Sequence, residues 1–584
     1  MQNNKNVLIA TILSAVILLS WTWLYEKPRV EKQEAQRKLQ AAQKPQAAVV
    51  KTIAADGTTK VIKTNPQEAV LALKNREEIL AESKNLRLPV ESESLHGSIS
   101  LKGARFDDLT LAKYFETQEK KKEVVLFAPS QSKDRYFADF GWLSSNGALD
   151  LPNPNTIWKS DVAKLTPKTP VTLSWTNKQN IEFKIKITLD ENYMFKVSQA
   201  VKNNSKAEIS VASYGRINRT MNEKRQANYI LHEGAIGAFN GAVSEITYKN
   251  LAKEKAVNFT DSAGNNGWMG ITDKYWLSAI VPDKNINYSA NFNYEFANQN
   301  NLYSSEFIGQ EFKVAAGETF KFDHDLFAGA KKVRLLDQYA KDYDIKLFDR
   351  AIDFGWFYFL TKPFFFIVEF LNKFLGNFGL AILAMTVLIK LVLFPMANKS
   401  YGAIAKVKKL QPKITALRER FKDDKIAMNR EMMELYKKEK VNPAAGCLPI
   451  LVQIPVFFAL YKVLFVTLDM RHATFYGWIH DLSAPDPTSI FNLFGILPFS
   501  VTGSFTLGIW PILMGLTMFL QQKLSPTTSD PTQAKILKWM PVVLTFVLAA
   551  FPAGLVIYWT WSNSLSILQQ WYITKKSEKA EKTE

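Results

Sequence analysis

The 584-residue chain reads as a multidomain membrane protein: six transmembrane helices, an N-terminal anchor plus a five-helix core, carrying a large antiparallel β-sandwich domain outside the membrane. Three observations predict this. Residues 26–345 have soluble composition and, from about residue 67, short runs that alternate apolar and polar side chains. Residues 377–572 hold apolar stretches long enough to cross lipid. The loops between those stretches are basic and acidic in alternation.

A hydrocarbon core about 30 Å thick takes about 20 apolar residues as a helix. Residues 7–24 qualify, with Thr11, Ser14, Ser20 and Thr22 as the polar members. The run ends in Trp21-Thr22-Trp23-Leu24-Tyr25, bulky aromatics that suit a membrane interface and not the small residues a cleavage site needs, so residues 1–25 are expected to stay as an anchor. Further spans are expected near 378–396, 445–468, 506–522, 536–551 and 554–573, the last two forming a tight hairpin about Pro552-Ala553. Pro449, Pro455, Pro511 and Pro541 interrupt them, which membrane helices tolerate when neighbours satisfy the freed carbonyls.

Charge gives the orientation. Between Met396 and Asn442 there are thirteen Lys and Arg against six Asp and Glu. Lys523, Lys535 and Lys538 face Asp530 in the next inner link, and Lys575, Lys576, Lys579 and Lys582 mark the tail, 573–584. The 469–505 loop instead sets Arg471 against Asp469, Asp481 and Asp486. Both termini and the 397–442 hairpin are therefore expected in the cytoplasm, with residues 26–345 outside. The net charge of +18 is concentrated in these inner segments, as anionic lipid requires. Cys447 is the one cysteine, which excludes an intramolecular disulfide, so the outer domain depends on its own core.

Residues 26–66, rich in Gln, Ala and Lys, read as a flexible tether. Within 67–345, Ile181, Phe183, Ile185, Ile187 and Leu189 alternate with polar residues, and Asp190-Glu191-Asn192 turns the chain into a second alternating run from Phe195 to Val201. Val171–Trp175 and Val124–Phe127 are similar; many short strands imply a sandwich. Such folds can bind or epimerise sugars, for which His324 between Asp323 and Asp325, and the pair His232-Glu233, are the candidates. Without a spacing signature, such residues are more often at surfaces or strand edges, and His232-Glu233 lacks the second His of a zinc helix. Residues 346–376, dense in Phe and Trp around Lys362 and Pro363, suit an amphipathic helix on the outer leaflet.

Lys390 lies inside the second span, one turn after Thr386 and on its face. A lysine at the bilayer centre costs about 2.5–3.5 kcal/mol, offsetting about six apolar neighbours. A snorkelling amine and a cation facing a wet cavity fit Lys390 equally well. Trp559, Asn563, Ser566 and Gln570 form a stripe at i, i+4, i+7 and i+11 of the last span, and Gln453 adds an amide in the third. Interhelical hydrogen bonding would use them; so would a groove open to the cytoplasm.

In the 397–442 segment, Ala403, Val407, Leu410, Ile414, Leu417 and Phe421 repeat every four and three residues, and Met428, Met432 and Leu435 give a second apolar face. Two antiparallel helices are expected, with Lys406, Lys408, Lys409, Lys413, Arg418 and Arg420 around them, for anionic lipid or ribosomal RNA. The methionines suit varied apolar partners.

Val441-Asn442-Pro443-Ala444-Ala445-Gly446-Cys447-Leu448-Pro449 followed by Gln453-Ile454-Pro455-Val456-Phe457 resembles the third-span signature of bacterial YidC insertases. Trp478-Ile479-His480-Asp481-Leu482-Ser483, Gln522-Lys523-Leu524-Ser525-Pro526-Thr527-Thr528 and Phe551-Pro552-Ala553-Gly554-Leu555 resemble its other motifs in order and spacing, and the long β domain resembles the Gram-negative form. The resemblance implies an inner-membrane insertase and chaperone for nascent hydrophobic membrane proteins, with a periplasmic domain, a hydrophilic groove open to cytoplasm and lipid, and the Sec translocon and translating ribosomes as partners. It implies no cofactor, metal or catalytic residue, and the chain carries no G-x-x-x-x-G-K-[ST] or G-x-S-x-G motif for nucleotide or acyl chemistry. Lys390 stands where the family has a groove arginine, keeping charge without the planar fork. Thr386 matches the groove threonine, and Trp559, next to Tyr558, stands at the substrate-contacting tyrosine. Lys462 and the long loop 491–505 depart from the family pattern.

Overall fold

A computed structural model describes residues 49–53, 59–63, 74–221, 231–297, 300–421, 424–439, 441, 448–495, 497, 507–524 and 531–581. The expected anchor at 7–24, residues 442–447 with Cys447, and residues 525–530 lie outside the described residues. The described residues fall in two compact units, Trp23–Asp353 and Phe354–Glu584.

The first unit is the β-sandwich. One nine-stranded sheet runs in the spatial order Ala242–Thr247, Gly234–Phe239, Trp268–Thr272, Trp276–Val281, Thr319–Ala330, Met194–Asn203, Ile181–Leu189, Val171–Thr176 and Lys159–Ser160. The other carries the path Ala256–Asp261, Tyr288–Ala297, Asn300–Gly309, Ile209–Met221, Tyr136–Leu143, Arg105–Phe115, Leu95–Ser100 and Arg87–Glu91. The alternation read in the sequence is the inside-outside pattern of these strands. Ile181, Phe183, Ile185, Ile187 and Leu189 are buried, and Phe183 meets Trp142 of the other sheet edge-on at 5.1 Å. Phe106 against Phe195 at 5.3 Å continues the same core. Such edge-to-face pairs add about 0.5–1.5 kcal/mol each beyond the area they bury.

Among the described residues three α-helices accompany the sheets: α1 (Arg76–Glu82), α2 (Tyr248–Glu254) and α3 (Val333–Asp342). Two features differ from expectation. Within the expected tether, Val49–Ile53 and Thr59–Lys63 pair as an antiparallel hairpin, which their β-branched residues favour. The expected interfacial helix also starts later than residue 346. Residues Phe348–Ala351 form a short 3-10 turn in the β unit, because Phe348 is buried edge-on against Trp268 and Phe327, at 5.2 and 5.6 Å.

The second unit is helical. It comprises α4 (Tyr358–Leu375), α5 (Phe378–Val392), α6 (Phe394–Lys409), α7 (Gln411–Arg420), α8 (Lys425–Lys438), α9 (Leu448–Val466), α10 (Ile509–Leu524), α11 (Pro531–Leu548) and α12 (Ala553–Glu581). Helix α4 buries Thr361, Phe365 and Val368 and exposes Phe359, Phe370 and Phe374, as an amphipathic helix does. Among the described residues no single helix is long and apolar enough to cross a membrane; α5 and α6 meet that test together but bend by 68°. The bend lies at Leu393, just before Phe394-Pro395, where the ring fixes φ and removes a donor. The span expected at 378–396 is thus bent near its end.

The 397–442 hairpin contains three helices where two were expected. Pro412 lies in the first turn of α7, so the seam breaks at Leu410, whose amide bonds to both Lys406 and Val407 carbonyls. The break keeps the seam facing inward: Val407, Leu410 and Ile414 pack on Met432, Tyr436 and Val441. Lys413 closes the open end through Glu439 at 2.7 Å.

Candidate functional site

Helix α5 starts cleanly because Asn377 accepts the Leu380 N–H at 3.1 Å as its N-cap. Its last two turns bring Thr386 and Lys390 to one face. Thr386 is buried and donates to the Ile382 carbonyl at 2.7 Å, so its hydroxyl is spent on its own helix. Lys390 reaches out of its helix. Its Nζ donates to Ser566 Oγ of α12 at 2.8 Å and to Gln453 Oε1 of α9 at 3.3 Å. Gln453 Nε2 in turn donates to Tyr558 OH of α12 at 3.1 Å. One half-buried ammonium thus ties three helices together. Among the described residues it has no carboxylate partner, so its charge is met by neutral oxygens.

The stripe on α12 divides. Ser566 faces Lys390, whereas Asn563 donates to Thr517 Oγ1 at 3.4 Å and Gln570 to the Leu524 carbonyl at 3.0 Å, both on α10. Trp559 takes an apolar place, tilted against Phe457 at 4.7 Å and beside Met514, Leu548 and Val556. Of the seven residues expected to share a groove, Lys390, Gln453 and Ser566 form one bonded cluster; Asn563 and Gln570 bridge to α10 beside it. Tyr558 is the member that sequence reasoning passed over in favour of Trp559. Its signal was its adjacency, together with an unpaired amide at Gln453 needing an acceptor.

Around this cluster the helices turn apolar side chains outward. Leu391, Val392, Ile454, Phe458, Leu516, Val543, Val547, Leu568 and Trp571 are exposed. A soluble protein rarely exposes so much apolar surface, and lipid is the natural cover. In the hairpin, Lys406, Lys408, Lys409, Lys413 and Arg420 are exposed, Arg418 and Met428 are half-buried, and Met432 belongs to the buried cluster.

Of the β unit's candidates, His324 departs from the surface or strand-edge position expected for it, whereas Asp323 is exposed and His232-Glu233 immediately precede the strand Gly234–Phe239. His324 is fully buried between the rings of Phe140, Phe307 and Phe322, and its Nδ1 accepts the Asp283 N–H at 2.9 Å. Burial holds its pKa down at about 4 against the pull of Asp283 and Asp323. Asp323 accepts from Ser198 and from Lys321 at 2.9 Å. His232 bonds the Ala235 carbonyl at 2.9 Å, and Glu233 accepts the Lys274 N–H at 3.2 Å. The two pairs belong to separate local networks. Among the described residues no group of three or more His, Cys, Asp or Glu could hold a metal ion.

Comparison with known proteins covers both units. Residues 370–581 match the family model described as 60Kd inner membrane protein, and residues 87–367 match that of the YidC periplasmic domain. A membrane protein insertase YidC of Rickettsia bellii (strain OSU 85-389) is 51% identical over 580 residues, 98% of this chain and 100% of that one. Its counterpart in Rickettsia akari (strain Hartford) is 49% identical over 577 residues, again 98% and 100%. Among solved structures, an active YidC insertase with its first transmembrane domain resolved aligns with 83% of this chain and 92% of its own, at 17% identity and a TM-score of 0.34.

Proposed function

Because the chain belongs to the YidC family of membrane protein insertases of the bacterial inner membrane, we propose that it inserts nascent hydrophobic proteins by sheltering their polar parts around Lys390. The observation that carries this reading is the Lys390 ammonium held by Ser566 and Gln453 with no carboxylate partner among the described residues. An unneutralised cation within an apolar shell is costly, and function is the ordinary reason to keep one. It would draw acidic residues of a substrate's translocated tail into the bundle.

The hairpin 397–442 would make first contact, using the half-buried Met428 for apolar segments, with Met432 beneath it in the hairpin's own core, and its lysines for anionic lipid or the translating ribosome. The segment would then enter a groove bordered by Thr386, Lys390, Gln453, Trp559, Asn563, Ser566 and Gln570, open to cytoplasm and lipid. Release into lipid would be driven by burial of apolar surface, about 25 cal/mol per Å². No covalent step and no nucleotide enters this scheme. The topology it requires has six spans, with the anchor at residues 1–25, residues 26–345 periplasmic and both termini cytoplasmic. The Sec translocon would share substrates too long for the core alone.

Photocrosslinking from Thr386, Lys390 and Trp559 to a nascent membrane protein tests the groove: adducts at all three positions support it, and adducts only from the hairpin overturn it. Lys390→Ala tests the charge, which is wrong if acidic-tailed substrates insert as before.

A further inference from the structure

The ammonium heads a hydrogen-bonded circuit with two branches. Lysine has donors only, so Gln453 must turn its Oε1 toward Lys390; its Nε2 then necessarily faces Tyr558 OH. Tyr558 is buried. On the other branch, Ser566 Oγ accepts from Lys390 and donates to the Ser562 carbonyl at 2.9 Å. Every donor in the circuit points away from Lys390. Two of the three ammonium N–H groups are thereby committed, leaving one for an incoming acceptor.

From this circuit we infer that Tyr558, acting through Gln453, is a positioning residue: it holds the Gln453 amide with its oxygen toward Lys390, so that Lys390 offers one directed N–H to a single acceptor oxygen of the substrate. The inference rests on the reading that Lys390 meets the substrate. Without the Tyr558 hydroxyl only the 3.3 Å contact with Lys390 orients the amide, and its Nε2 loses a buried acceptor. A flipped amide would set N–H against N–H at Lys390 and displace the amine.

The test uses the full chain in proteoliposomes, with a single-span substrate whose translocated tail carries two Asp and the same substrate with Asn in their place. Tyr558→Phe keeps the ring and is expected to lower insertion of the Asp-tailed substrate about tenfold, the scale of one misplaced buried hydrogen bond, with the Asn-tailed substrate unaffected. Gln453→Glu gives two acceptor oxygens and no orientation to set, and its carboxylate pairs with the ammonium. It is expected to match Lys390→Ala on the Asp-tailed substrate, and Tyr558→Phe added to it should change nothing further. Equal loss on both tails, no loss on either, or an additive loss in the double variant would overturn the inference. If Lys390→Ala itself spares the Asp-tailed substrate, the underlying reading fails; if Lys390→Ala lowers it and Tyr558→Phe does not, only the positioning role fails. Gln453→Leu, with equal trypsin resistance as the folding control, should reproduce the selective loss.

Discussion

Asp486 caps the helix that begins near Trp510. Its Oδ2 accepts the Trp510 N–H at 2.9 Å, while Oδ1 gathers Trp478 Nε1 at 3.1 Å, Thr488 N–H at 3.0 Å and Thr488 Oγ1 at 2.7 Å. Thr488 Oγ1 also takes the Ile509 N–H at 3.0 Å, so the first amides of α10, which have no partner inside the helix, are satisfied from 21 and 24 residues away. Gly508 makes the approach possible, because a Cβ there would lie 2.6 Å from the Asp486 carboxyl carbon.

Asp486→Ala should therefore strip several buried donors of their acceptor at once. At about 1–3 kcal/mol for each unsatisfied group, a loss of roughly 3 kcal/mol or more is expected. Asp486→Asn, which keeps one oxygen, should lose less. Thermal unfolding of the purified chain in detergent reads both, and a midpoint for Asp486→Ala equal to that of the parent would rule out the cap.

A second close approach joins α10 to α11. A Cβ on Gly515 would stand 2.2 Å from Thr545 Oγ1, and that hydroxyl is held by donating to the Pro541 carbonyl at 2.7 Å. Gly515→Ala should cost about 1–3 kcal/mol by overpacking. Thr545→Ala in the same chain opens the space and should recover most of it. The idea falls if Gly515→Ala melts like the parent, or if the second substitution brings no recovery.

These contacts show where sequence reading stops. The strand from Ile181 to Leu189 was legible because its core positions alternate within nine residues, and burial follows that period. The hairpin seam was legible for the same reason, except at Leu410, where Pro412 gave a signal that periodicity ignores. Pro395 likewise announced the bend after Val392. Asp486 looked like one of three acids in an outer loop, since nothing local ties it to an amide 24 residues on. Gln453 and Tyr558 lie 105 residues apart in the chain, and only the fold brings them to 3.1 Å. Residue type marked Lys390 as consequential; pairing had to come from the structure.

In the β unit two neighbours titrate against each other. His324 in its folded place has a pKa of about 4, below the unfolded value near 6.5. As pH falls from about 6.5 to about 4, the unfolded chain binds a proton that the folded chain refuses, and stability is lost. Burial raises Asp325 to about 6, above the unfolded value near 3.9. In the window from about 6 down to about 3.9 the folded chain takes the proton first, and stability is gained. The two slopes oppose. Asp325→Asn should thus steepen the loss on acidification, and His324→Gln should flatten or reverse it. Strand-signal melting of the full chain between pH 7 and pH 4.5 would show it; parallel pH profiles for the parent and Asp325→Asn would refute it.

The hairpin offers a separate test, because its cluster is small. Ile414 is 2% exposed and packs with Val407, Leu410, Met432, Tyr436 and Val441, so it is central to the contact between α7 and α8. Ile414→Ala should cost about 2–4 kcal/mol, a large share of what so few buried residues supply, whereas the Lys390 circuit draws on α5, α9 and α12 and should be untouched. The exposed lysines report the change directly: trypsin should cut after Lys406, Lys408 and Lys413 faster in Ile414→Ala than in the parent, while the β unit keeps its resistance. If the hairpin makes first contact with substrates, crosslinks from Met428 to a nascent chain should weaken in the same variant. Crosslinks from Met428 that persist at full strength despite rapid cleavage would mean that a folded hairpin is not what substrates meet first.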